Sequence, residues 1–213
     1  MNKFLKKLIL FSLPILFFCI ALTVGYFVYD PFKLVYKYDI DSIQANDLNR
    51  DYVTTERFIK HNPTQKYNSF VFGSSRSMGY NPASWATHLG EGARPFSFDA
   101  SSETIVGIYL KLRFLDRNRV PVNNALMLVD ADSIFFDVDR QETECIKMKH
   151  PITLDNSFGD WFKFQKAHFF TYTKPKYLVY FYGGLLGIKN KYTVKRRVNA
   201  ISVFPTNCDV CCC

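Results

Sequence analysis

Apolar positions along the chain fall into three patterns. The first is an unbroken run over residues 8–28, twenty-one positions without a charge. A helix rising about 1.5 Å per residue covers the roughly 30 Å hydrocarbon core of a bilayer with that number. Lys3, Lys6 and Lys7 precede the run, Tyr26 and Tyr29 stand where an interfacial aromatic belt would lie, and Asp30-Pro31 stops it. The Lys cluster ahead of the run predicts a cytoplasmic N-terminus and an exported remainder. A cleaved signal peptide has a shorter apolar stretch ending in an A-x-A-like site. Ala21-Leu22-Thr23 matches that site poorly. Residues 1–29 are therefore expected to be an uncleaved, single-pass anchor in contact with the bilayer through residues 8–28.

The second pattern is the short β-favouring run. Asn68-Ser69-Phe70-Val71-Phe72 leads at once into Gly73-Ser74-Ser75-Arg76-Ser77, a strand entering a loop of small residues. Residues 95–98 read as a second strand, and Ala125-Leu126-Met127-Leu128-Val129 as a third, continuously apolar one. The third pattern is helical. Asn81-Pro82 predicts a capped start with proline in the first turn, continuing to about Leu89 and closed by Gly90 and Gly92. Ser101 or Ser102 is expected to cap a helix to about Leu115, with Ile105, Ile108, Tyr109 and Leu112 on its inner face and Lys111 off it.

Strands alternating with amphipathic helices predict an α/β fold, a parallel sheet covered on both faces, over residues 67–200. Residues 30–66, polar and mixed in charge, read as a juxtamembrane connector with one short helix over 54–61. Residues 160–187 predict two helices broken near Lys174-Pro175. The apolar stretch 177–188 between Lys176 and Lys189 is too short to cross a bilayer, so a buried or interfacial helix is expected there.

Composition changes this picture little: 48% hydrophobic and 17% aromatic residues supply a real core. The net charge of +8 invites a nucleic-acid reading, but its distribution argues against one. Three Lys lie in the first seven residues, and nine basic residues without an acidic one lie in 161–199. Residues 8–160 carry 15 basic against 18 acidic side chains, so no basic stripe crosses the domain. Four of the six cysteines crowd the end, at 208, 211, 212 and 213. A disulfide framework would be spread through the fold, and the one C-x-x-C lacks a second ligand pair, so neither disulfides nor a metal are expected. No cofactor motif is present.

The candidate chemistry lies after the first strand. A serine at the carboxyl end of a parallel strand, just before a helix, sits where open α/β sheets bind ligands. Loop N–H groups there can hold a developing oxyanion. The plain alternative for Ser75 is a tight turn that needs small residues. Phe72-Gly73-Ser74-Ser75-Arg76-Ser77 resembles the first block of the SGNH (GDSL-like) hydrolase/acyltransferase superfamily, and Gly-Ser-Ser followed by Asn-Pro is most similar to its membrane-anchored, cell-envelope branch. The resemblance implies a flavodoxin-like sheet, Ser75 as nucleophile, and Gly73 with the Ser75 N–H in the oxyanion and substrate site. Phe98-Asp99-Ala100-Ser101-Ser102 is placed like the polar turn after the second strand, which brings Asp99 and Ser102 to the same site. Val129-Asp130-Ala131-Asp132 is similar in position to the third block, with Asp130 at the strand end. The resemblance covers about 66–139, and the implied substrate is an acyl ester of envelope polysaccharide or lipid.

Two departures qualify the implied activity. An ionised Asp accepts hydrogen bonds where the third block needs a donor. The family's closing Asp-x-x-His, which supplies the base that a weakly nucleophilic serine needs, does not occur in this sequence. His61, His88, His150 and His168 each have an ordinary structural reading. A basic stretch followed by the Cys-rich residues 201–213 is what an out-of-frame or disordered ending would produce. The expectation is therefore an inactive, shortened member of an esterase or acyltransferase lineage, or else a non-catalytic envelope protein that binds glycan or a partner on the same scaffold.

Overall fold

The computed structural model describes residues 3–43, 48–129 and 145–186. Helix α1 runs Lys3–Tyr29. It is long and apolar enough to cross a membrane over Lys6–Tyr29, and nearly all of it stands clear of the rest of the chain. Its end is built by side-chain bonds: the buried Asp30 carboxylate accepts from the backbone N–H groups of Leu34, Val35 and Tyr36 at 2.9, 2.9 and 3.1 Å. Asp30-Pro31 is thus a folded corner.

The helix expected over 54–61 is longer, α2 at Arg50–Gln65, because Asn49 provides a cap that accepts from the Tyr52 N–H at 3.0 Å. It also contributes to the core. Phe58 packs with Phe70 and Phe72 of β1 (Ser69–Gly73), Phe98 of β2 (Pro95–Asp99) and Ile108, Phe114 and Leu115 of α4 (Ile105–Arg117). The Phe72 and Phe98 rings stack at 5.8 Å and 4°. Between the strands lies the short helix α3, Pro82–Ala86, capped as expected by Asn81 but continuing to Leu89 only as tight turns.

β3 (Asn124–Met127) and β2 both pair parallel to β1, giving the order β2–β1–β3. The chain steps from β1 to one side and then crosses back to the other, so β1 is central and the strand order reverses beside it. The full two-sided cover expected for the third strand is not found: along β3 half-buried Asn124 and Leu126 alternate with exposed Ala125 and Met127.

α4 also departs from expectation. Its cap is Thr104, whose hydroxyl accepts from the Gly107 N–H at 3.2 Å, while Ser102 lies in the preceding turn with φ 52°. Ile105 and Tyr109 are exposed, and the buried face is Gly107, Ile108, Lys111, Phe114 and Leu115. The helix is rotated because Lys111 has ion partners inside the fold. After β3 come α5 (Phe158–Tyr172) and α6 (Pro175–Leu185), broken at Thr173-Lys174. A capping box of Ser157 and Asp160 starts α5. The α5–α6 hairpin packs on the end of α1, joining Tyr26, Phe32, Cys145 and Tyr172 in a second core.

Candidate functional site

β1 is buried along its whole length, and its end dictates the loop that follows. A Cβ on Gly73 would come within 2.9 Å of the Ser77 Cβ and 3.0 Å of the Leu128 Cβ, so only glycine lets the loop fold back tightly. Ser77 is buried and its hydroxyl donates to the Ser74 carbonyl at 2.8 Å. The buried Ser74 hydroxyl oxygen caps the 3-10 turn Ser75–Gly79. With both neighbours turned inward, Ser75 is exposed at the turn's first position, and its N–H has no acceptor within the turn.

Asp99 is paired in register with Gly73, and the Ala100 N–H donates to the Gly73 carbonyl at 3.2 Å. The turn carrying Ser75 touches β2, so Gly73, Ser75 and Asp99 share one edge of the sheet. Ser102 follows in the turn after β2, and Asp130 falls outside the described residues. The Arg50 guanidinium lies 3.7 Å from the Asp99 carboxylate and also donates to the Met78 sulfur, so it bridges β2 and the Ser75 turn. Burial pushes the Asp99 carboxyl above its ordinary value despite the attraction of Arg50 and Lys111.

Beneath this edge is a cluster that the hydrophobic pattern did not reveal. Lys111 Nζ lies 2.9 Å from Asp51 Oδ2 and is ion-paired to Glu103; Lys149 pairs with the same Glu103 and lies 3.7 Å from Asp51 Oδ2. The Asp51, Glu103 and Lys111 side chains are 1% exposed. Two cations thus face two anions with no net charge, the condition under which buried charge is tolerated. Burial alone would raise the Asp51 carboxyl, but attraction by Lys111 and Lys149 outweighs it and holds it at about 2. The same two lysines hold Glu103 low against its burial. Asp51 and Glu103 in turn keep Lys111 above its ordinary value.

All four histidines are among the described residues, and the three with hydrogen-bonded rings serve structure. The buried His150 ring accepts from the Ile152 N–H through Nδ1 at 3.0 Å, so in the neutral ring Nε2 carries the proton and donates to Glu56 at 2.9 Å. Its face stacks on Tyr52 at 4.8 Å. His168 donates from Nδ1 to the Phe164 carbonyl at 2.7 Å, and burial pushes its pKa down to about 4. His61 lies 2.8 Å from Asp41. His88 is exposed beyond α3. Among the described residues no histidine is bonded to Ser75, and no group of His, Cys, Asp and Glu could hold a metal. The terminal cysteines lie outside the described residues. Compared with protein-family models, curated proteins and solved structures, the chain has no match.

Proposed function

We propose that the chain is a membrane-anchored envelope protein on an SGNH-like scaffold, with α1 spanning the bilayer, its N-terminus cytoplasmic and the α/β domain on the far side. In this reading Ser75 is displayed toward an acyl ester of envelope glycan or lipid, and Gly73, Asp99 and Ser102 border the same place; Asp130, outside the described residues, is assigned to it by the resemblance alone. The observation that carries it is the exposed Ser75 two residues beyond the central strand of a parallel sheet, beside the point where the strand order reverses. A serine hydroxyl attacks an ester only when a base takes its proton. Three of the four histidine rings are bonded elsewhere and, among the described residues, none is bonded to Ser75, so this reading expects no turnover by the chain alone. That arrangement also favours the second reading, a glycan- or partner-binding protein that keeps the scaffold without the chemistry.

A fluorophosphonate probe distinguishes these readings. The hydrolase-type reading expects little labelling of the full chain alone, and labelling induced by added imidazole that Ser75→Ala abolishes. Labelling that survives Ser75→Ala places the reactive hydroxyl elsewhere and ends the proposal. No labelling at any imidazole concentration supports the binding reading instead.

A further inference from the structure

The contacts between α1 and α6 have a direction. Phe32, just beyond the span, meets Tyr177 at 5.1 Å. One turn further along α6, Phe181 and Tyr182 meet Tyr29 at 6.0 and 5.9 Å. The Tyr182 hydroxyl reaches the place where a Cβ on Gly25 would be, at 2.5 Å, and the Tyr172 hydroxyl lies 2.8 Å from the same point. Gly25 is thus the notch that receives the tips of Tyr172 from α5 and Tyr182 from α6. The two tyrosine hydroxyls bond each other at 2.6 Å, so neither faces apolar surroundings unpaired. Leu22 is also packed against this cluster. α6 therefore runs antiparallel to α1, with Tyr177 beside Phe32 and the Tyr182 hydroxyl reaching Gly25. Gly25 lies about 6 Å along the axis inside Tyr29.

The surface that α6 leaves uncovered is apolar: Val179, Leu185 and Leu186 are 66%, 55% and 77% exposed. Its outer end carries Lys174 and Lys176, both exposed, and no acidic residue lies between them and Leu186. The stretch from Tyr177 to Leu186 carries no charge, with Lys174 and Lys176 at its outer end and Lys189 three residues past Leu186; long lysine stems let such flanking charges reach the headgroups over an apolar run.

We propose that α6 is a second membrane element, a half-inserted helix that enters the outer leaflet beside α1 and exposes Val179, Leu185 and Leu186 to acyl chains. It rests on α1 spanning the bilayer. A helix satisfies its own backbone groups except the carbonyls of its last turn, and there the Leu186 N–H donates to the Tyr182 carbonyl at 3.0 Å. The occupant of this surface is lipid, because Val24, Phe27 and Val28 of α1, at the level that Tyr182 reaches, are exposed and apolar as well.

The unmodified full chain in phospholipid vesicles carrying a diazirine in the acyl chain tests this by photocrosslinking and tryptic mapping. Lipid adducts are expected on residues 177–189 as well as on residues 8–33. Leu186→Asp, at an exposed position that does not disturb folding, lowers the yield on 177–189 several-fold and leaves that on 8–33 unchanged. Adducts on 8–33 alone overturn the half-inserted helix and leave the anchor standing. Adducts on neither peptide overturn both.

Discussion

Lys111→Met isolates the buried ion cluster from other effects. Methionine and lysine have similar helix propensity and length, so α4 itself is little changed. What changes is the charge balance: Asp51 and Glu103 are left to share Lys149. Removing one partner of a buried pair costs about 3–5 kcal/mol, because an uncompensated charge stays in the interior. The two carboxylates already repel, and Asp51 raises the pKa of Glu103. With Lys111 gone, one of them takes up a proton.

The pH dependence then separates a charge effect from a packing effect. In the parent, Asp51 is depressed from 3.8 to about 2 in the folded protein. A depressed carboxyl contributes stability, about 2 kcal/mol here, that is present above about pH 4 and lost as pH falls through about 2. In Lys111→Met the surviving carboxyl is raised, so its contribution is present at low pH and lost as pH rises. The variant's deficit should therefore be larger at pH 8 than at pH 5. Chemical denaturation of the full chain in detergent, followed through Trp85 and Trp161 fluorescence, reads both quantities. Adding Glu103→Gln restores one anion to one cation and should recover part of the loss. A deficit under about 1 kcal/mol, or one independent of pH, refutes the claim that the cluster is charged and coupled.

Gly107→Ala would gain about 1 kcal/mol from helix propensity at an exposed site. Here the new Cβ collides with the Glu103 carboxylate and the Lys149 ammonium, so a net loss of about 1–3 kcal/mol is expected in the same denaturation assay, and a stabilised variant contradicts it. His168 is depressed from 6.5 to about 4, so the unfolded chain binds the proton more readily between those values. Stability from this group is present above pH 6.5 and falls by about 3 kcal/mol on acidification to pH 4. His168→Gln removes that slope, and an unchanged slope in the variant rules His168 out as its source.

The elements that local rules specify were legible in the sequence: the apolar run ending at Asp30-Pro31, the strand before Gly73, the Asn81-Pro82 cap and the break before Pro175. Each rests on a local rule of charge, period or turn chemistry. Three features were not legible, because they depend on partners far along the chain. Lys111 reads as a surface residue until Asp51 and Glu103 are brought beside it. The helix from Arg50 reads as part of a polar connector because its inward face carries Asp51, Thr54 and Thr55, whose partners lie in other elements. Thr104 competes for the cap with Ser101 and Ser102, and the buried Glu103 before it decides the outcome, since its pairing with Lys111 and Lys149 sets where α4 can begin. Ser75 reads as a loop residue from the sequence, but its exposure follows from Ser74 and Ser77 turning inward.

The polar segment after α1 does not work as a leash. The Tyr26 hydroxyl donates to Gln165 on α5 at 3.1 Å. Phe164 on the same helix stacks on Tyr52 of α2 at 5.6 Å, and Asn49 at the cap of α2 donates to the Cys145 and Met148 carbonyls at 2.7 Å each. The next residue is Arg50, which holds Asp99 and the Ser75 turn; the one after it is Asp51, the centre of the buried cluster. Ring contacts and hydrogen bonds thus lead from the last turn of α1 to the carboxyl edge of the sheet. On the membrane reading proposed above, Ser75 is held at one height and orientation over the bilayer by packed elements, which position a site more tightly than a flexible tether can. On that reading a tethered domain would search a volume of the envelope, whereas this one would meet only a substrate or partner that presents itself at a set distance from the lipid surface.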